Sequence, residues 1–120
     1  MTAVQALNAF YSRFWTAYEE TSVPKNAELP YITYQVALGD FADTVVLTAS
    51  LWYRSTSWKA ITEKQEEISD YIGTGGVILP TDDGAIWITK GTPFAQFTDD
   101  DSDSNVKRII LNLTANYLTT

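Results

Sequence analysis

Carboxylates are the groups in this chain with the numbers and clustering for acid–base or metal chemistry: 15 Asp and Glu stand against 8 Lys and Arg, with no His and no Cys in 120 residues. That inventory excludes Ser-His-Asp and Cys-His nucleophilic catalysis, thiol redox chemistry, disulfide frameworks and Cys/His zinc sites. The densest acidic cluster is Asp99, Asp100, Asp101 and Asp103. Calcium takes about six to eight oxygens from a defined turn, and the EF-hand pattern of a central Gly and a closing Glu is absent. The plain reading of the cluster is a solvated connection that like charges keep extended. A weak divalent site and an acidic surface facing a partner are the alternatives.

Paired carboxylates can also hydrolyse glycosides when an acid and a base or nucleophile stand ~5–9.5 Å apart. The candidates fit poorly. Glu63, Glu66 and Glu67 fall on the polar side of a helical pattern, and Asp82-Asp83 precedes Gly84 in a turn that needs Asp for backbone reasons. Gly73-Thr-Gly-Gly76 has the look of a phosphate cradle, but no Lys-Ser/Thr and no helix follow it. We therefore expect no enzyme activity, no catalytic residue, no metal and no cofactor. Aromatic residues make up 13% of the chain, enough for base-stacking platforms, yet those sit in positive grooves and the net charge here is −7. Aromatics on a small acidic domain suit protein–protein contact better. Trp15, Trp52, Phe94 and Phe97 are the candidate interface residues, and the second face of the sheet described below is a candidate surface.

The elements that position these residues follow from periodicity. Val4, Leu7, Tyr11, Phe14 and Tyr18 form a helical stripe over residues 2–18, and Thr2 with Gln5 has capping-box spacing. Pro24 and Pro30 bracket a polar loop. Residues 31–37 and 44–53 then alternate with period two and are joined through Gly39-Asp40, which predicts a β-hairpin. Trp52 and Tyr53 must lie on opposite faces of it. Ser55 and Ser57 offer caps for a second helix to Ile72, ended by Gly73. Strands are predicted at 77–79 and 85–90 around an Asp-Gly turn, then a polar stretch over 98–105 and a final strand carrying Ile109, Leu111, Leu113, Ala115 and Tyr117 on one face. The order α-β-β-α-β-β-β predicts one α+β domain over residues 1–120, a mainly antiparallel sheet with two helices packed on one face. No run reaches the ~18 apolar residues of a membrane span, and no leader pattern opens the chain, so a protein made and kept in the cytoplasm is expected.

Taken together, Leu29-Pro-Tyr-Ile-Thr-Tyr34, Thr48-Ala-Ser-Leu-Trp-Tyr-Arg54 with Ser57 and Trp58, Gly75-Gly-Val-Ile-Leu-Pro-Thr-Asp-Asp-Gly-Ala-Ile-Trp-Ile88, Gly91-Thr-Pro-Phe-Ala-Gln96 and Arg108-Ile-Ile-Leu-Asn-Leu-Thr-Ala-Asn-Tyr-Leu118 resemble tail-terminator proteins (tail completion, or minor capsid, proteins) of long non-contractile-tailed phages of Gram-positive bacteria. The resemblance runs through nearly the whole chain. It implies a virion structural protein that forms a homohexameric ring on the head-proximal end of the tail tube. Such a ring stops tube polymerisation and joins the tail to the head connector, and it implies no catalytic residues. Its partners would be copies of itself, the tail tube protein and the connector or head-closure protein, with DNA passing unbound. A head-closure or other neck protein is the nearest alternative, and a small acidic metal- or carbohydrate-binding module the alternative from another class. Within a ring, Gly91–Asp103 is expected to reach a neighbouring subunit or the tube, and Asp99, Asp100, Asp101 and Asp103 to face the lumen or a partner.

Overall fold

The computed structural model describes residues 1–100 and 103–119, with the side chains of all of these except 99, 100, 104 and 119. Its elements are α1 (Ala3–Ser12), β1 (Ala17–Glu19), β2 (Tyr31–Tyr34), β3 (Thr44–Arg54), α2 (Lys59–Ile72), β4 (Val77–Thr81), β5 (Gly84–Asp100) and β6 (Asp103–Thr119). One six-stranded sheet runs β1-β2-β3-β6-β5-β4, and every pair is antiparallel except β1 with β2. The expected α+β class holds, with one strand more than the alternation of apolar residues predicts.

That extra strand corrects the first helix. The capping box forms, with the Thr2 hydroxyl accepting from the Gln5 amide and the Gln5 side chain from the Thr2 amide, but α1 ends at Ser12 instead of reaching Tyr18. Beyond it Ala17, Tyr18 and Glu19 run parallel to Ile32, Thr33 and Tyr34. Tyr18 had matched the helical stripe by spacing alone, and in the strand its ring packs edge-on against Tyr31 at 5.7 Å.

The β2–β3 hairpin and the alternation of β3 and β6 produce the core. Leu47 pairs with Leu113, Ala49 with Leu111 and Leu51 with Ile109, so cross-strand partners share a face and all six are buried. Ile32, Tyr34, Ile86, Ile88, Ala115 and Tyr117 extend the same surface. The helices cover it: α1 through Leu7, Phe10 and Tyr11, α2 through Ile61, Ile68 and Ile72. The sheet curls about the helices, and α1 touches both of its edge strands, β1 and β4. Tyr11 stacks on Tyr34 with centroids 4.8 Å apart, and the Asn8 amide donates to the Tyr34 hydroxyl at 2.7 Å.

Caps differ from expectation only in detail. The cap position of α2 is Trp58 and carries no side-chain hydrogen bond, while Ser57 Oγ accepts from the Lys59 amide at 3.1 Å. At the other end Gly73 takes φ +65°, as a helix-ending glycine does. Gly76 is more constrained: at φ +77°, a Cβ there would stand 2.4 Å from the Ile88 carbonyl oxygen.

The longest departure is in β5 and β6, 17 residues each. Of the polar stretch over 98–105, the described residues belong to strands and not to a loop. Asp99 and Asp100 end β5, Asp103 begins β6, and Asp101 lies outside the described residues. The register supplies the reason, since Thr98 and Asp99 stand opposite Arg108 and Lys107. Asp99 therefore has a cationic residue as its register partner, whereas Asp100 is paired with Asp103. Gly91–Phe94 forms an irregularity inside β5, between the Lys90–Leu113 and Ala95–Leu111 pairs.

Two stability predictions follow from the interior. The Tyr11 hydroxyl is fully buried with no hydrogen-bond partner among the described residues, and burial, helped by the neighbouring Tyr117 and Tyr34 phenols, raises its pKa far above the ordinary 10.0. Above pH 10 the unfolded chain therefore releases a proton that the folded chain retains, so stability falls as pH rises. Tyr11→Phe should add about 1 kcal/mol at neutral pH and flatten this alkaline decline in urea titrations. Gly76→Ala should cost about 1–3 kcal/mol in the same assay, because both its φ and its Cβ are opposed.

Candidate interaction surface

The structure separates the four aromatic candidates. Tyr53 and Trp52 do lie on opposite faces: Tyr53 packs with the core on the helix side, and Trp52 lies on the convex side. Trp15 joins Tyr53, ring centroids 5.7 Å apart, with the Lys64 ammonium 5.7 Å from the Trp15 ring. Phe97 joins Trp58 at 5.1 Å, also on the helix side, and remains 50% exposed. Buried Lys107 extends over Trp58, 5.3 Å from its centroid. Phe94 is half-buried against the core at the β5 irregularity, and Trp52 stands alone of the four on the opposite face. There its indole donates to Thr33 Oγ1 at 3.0 Å and the Arg108 guanidinium lies 4.7 Å from its ring.

Trp15, Tyr53, Trp58 and Phe97 thus form an aromatic shelf where the β5–β6 hairpin extends past α2. Its outer boundary is an open strand edge. β4 pairs with β5 only over Gly84–Ile88, so among the described residues no strand lies beside the outer edge of Ala95–Asp100. The hairpin ends in acid, and one acid is held firmly: Asp103 accepts from Arg54 and, at 2.9 Å, from the Asn105 amide. The Arg54 hydrogen bond, then the amide, hold its carboxyl below the usual carboxylate range.

The cations follow a pattern that composition does not reveal. Arg13, Lys64, Lys90, Lys107 and Arg108, five of the eight, lie 4.4 to 5.8 Å from aromatic ring centroids. Such placements ordinarily occur about once in 70–80 residues, so here the rings are a principal environment for positive charge. Arg54 is engaged by Asp103. The outer surface is correspondingly governed by carboxylates, among them exposed Glu63, Glu66, Glu67 and Asp70 on α2.

Sequence reasoning pointed to the second sheet face without locating its apolar part. Ile78 pairs with Trp87, and Trp87 with Asn116, on the face away from the helices; Ala85–Leu118 and Val46–Thr114 flank them. Ile78, Trp87, Leu118 and Val46 are all exposed. They come from four strands spread over residues 46–118, and the register that joins them is not written in any one segment. The larger clefts also open at the surface. One of about 580 Å³ lies beside Trp52, Arg54, Tyr31 and Leu29, and one of about 410 Å³ beside Thr2, Leu38, Asp83 and Tyr117. Among the described residues no three acidic side chains gather closely enough to hold a metal, and no helix is long and apolar enough to cross a membrane. No family model, curated protein or solved structure matches the chain.

The acidic tip gives a direct pH test. A depressed Asp103 pKa contributes stability that is present at neutral pH and is lost as pH falls below the ordinary value of 3.8. Carboxyl-carbon NMR titration should place Asp103 below the ordinary 3.8, and Arg54→Gln should return it towards that value.

Proposed function

We propose that this protein is a structural subunit of a tailed-phage virion, a member of a homohexameric ring that caps the head-proximal end of the tail tube, halts its polymerisation and joins it to the head connector. The resemblance across the chain supports this reading. The structural observation that carries it is the open edge of Ala95–Asp100, with exposed Phe97 backed by Trp58. An unpaired edge with an apolar anchor on one side of a subunit suits a head-to-tail contact, in which each copy offers a neighbour a surface different from the one it receives. In the ring the edge contacts the adjacent subunit, and the tip at Asp99–Asp103 faces the lumen. Six copies at −7 each then surround the channel with carboxylates whose cationic neighbours are engaged with aromatic rings. DNA traversing such a channel is repelled from its wall.

Sedimentation velocity across protein concentrations, with and without polymerised tail tubes, tests assembly. The expected result is hexamers in solution or rings on one end of each tube, with tube growth arrested. Phe97→Ser should reduce ring formation at least tenfold while leaving the monomer folded, as judged by circular dichroism. A protein that stays monomeric at every concentration and leaves tube length unchanged overturns the proposal. Rings whose acidic tips point outward overturn the lumen assignment alone.

A further inference from the structure

We infer that the loop between β2 and β3 docks, through Phe41 and Leu38, into the cleft beside Trp52 and Tyr31 of an adjacent copy, so that copies join head to tail along β3. The contact rests on the ring proposed above and names what each subunit offers its neighbour. Leu38 and Phe41 are 57% and 64% exposed, yet the loop that carries them is firmly held. The Tyr117 hydroxyl donates to the Ala37 carbonyl at 2.7 Å, the Ala42 amide to the Tyr117 carbonyl at 2.6 Å, and the Tyr117 amide to the Asp43 carbonyl at 3.0 Å. Asp40 and Asp43 close the turn on each other, the Asp40 amide donating to the Asp43 carboxylate at 2.7 Å and the Asp43 amide to the Asp40 carbonyl at 2.9 Å. Between them Ala42 takes φ +68°, which among the described residues no other non-glycine residue does. Such a conformation persists only where its surroundings over-determine it. A loop fixed in this way presents Phe41 without further ordering on binding.

A receptor for this loop lies at the other end of the same chain. β3 is 11 residues long, from Thr44 beside the loop to Arg54 in the cleft, a span of about 33 Å. The cleft, about 580 Å³, is lined by Leu29, Tyr31, Trp52, Arg54 and Val106, an aromatic and aliphatic surface with a guanidinium at its margin. Arg108 lies 4.7 Å from the Trp52 ring, and exposed Lys25 stands two residues before Ala27 of the lining. Glu28 also lines the cleft, and Asp103 nearby is engaged by Arg54. Asp40 and Asp43 flank Phe41, so the loop carries carboxylates to a margin where Arg54, Arg108 and Lys25 supply the opposite charge. Two loops meeting like to like would instead oppose these carboxylates to their own images. Because loop and cleft are different surfaces at opposite ends, each contact leaves one of each free, the condition for a closed ring. The cleft shares its end of the sheet with the Ala95–Asp100 edge: Trp52 pairs with Arg108 and Arg108 with Thr98, two strand spacings or about 10 Å, so one neighbour spans both.

The chain has no Cys, so introduced thiols report contacts between copies without competition. Asp40→Cys and Glu28→Cys place them at the exposed margins of loop and cleft, too far apart for a short bismaleimide to join within one chain. The two full-length variants are mixed, in solution and on polymerised tail tubes, and the cross-linked pairs are read by mass spectrometry. Pairs joining an Asp40→Cys chain to a Glu28→Cys chain should exceed either like pair at least tenfold. Adding Phe41→Ser to the Asp40→Cys chain should reduce them at least tenfold with the circular dichroism of the fold retained, because Phe41 takes no part in the core. Rings that form without this excess, or with an excess that Phe41→Ser leaves unchanged, overturn the contact and leave the ring standing. Preferential joining of the Asp40→Cys chain to a Lys59→Cys chain, beside the aromatic shelf, does the same. Like pairs in excess overturn it by assigning loop or cleft to a symmetric dimer. Chains that stay monomeric both in solution and with tubes overturn the contact together with the ring.

Discussion

A six-stranded sheet with one apolar face cannot bury that face by itself, and the architecture rests on how α1 closes the curl. This helix contacts the two strands that lie furthest apart in the sheet, β1 and β4. Its buried residues Leu7, Phe10 and Tyr11 fill the space between them, and Phe10 and Phe14 reach Tyr71 of α2 with centroids 6.2 and 5.6 Å apart. Both helices thereby occupy the concave side. The convex side is left to face outward, and every surface considered above is a consequence: the shelf forms where the helices stop short of the hairpin, and the Trp87 patch where no helix lies at all.

Electrostatics follow from the same economy of space. Tyrosine, tryptophan and phenylalanine rings supply both the interior and its margins, and they take in the cations at those margins. The pairing of Arg108 with Trp52 also lets its Nε donate to Ser50 Oγ at 3.1 Å, tying β6 to β3 on the convex side. The acids have fewer such partners. A balance of −7 is thus accompanied by a spatial division, with positive charge applied to rings and negative charge presented to solvent.

How much of this was legible in the sequence depends on the range of the interaction. Period-two alternation in β3 and β6, the Thr2–Gln5 box, Gly73 and the two-residue Asp82-Asp83 turn are local features, and each has a local physical cause. β1 is legible only through its pairing with β2: three residues carry no periodicity, and Tyr18 was as well placed for a helix. The acidic run looked like a loop because repulsion acts along the chain, whereas Lys107, the register partner of Asp99, comes from the other strand. The interaction surfaces were legible in their residue types, as with Phe97, and illegible in their grouping, which set Trp52 apart from Trp15 and Phe97 and brought Ile78, Trp87 and Leu118 together.

The position of β6 between β3 and β5 has a consequence for biosynthesis. β1, β2 and β3 form one run of hydrogen-bonded strands and β4 with β5 another, and β6 joins them. During translation the ribosome releases this connecting strand after all the others, so until then the two halves have no ladder between them and α1 has no second edge to rest on. Folding to the native sheet consequently waits for β6 and is dominated by long-range pairings such as Val45 with Ala115, a topology that folds slowly. A chain cut short within β6 lacks the keystone, and with it both the β5–β6 hairpin edge and the ladder that seats Trp87 beside Asn116.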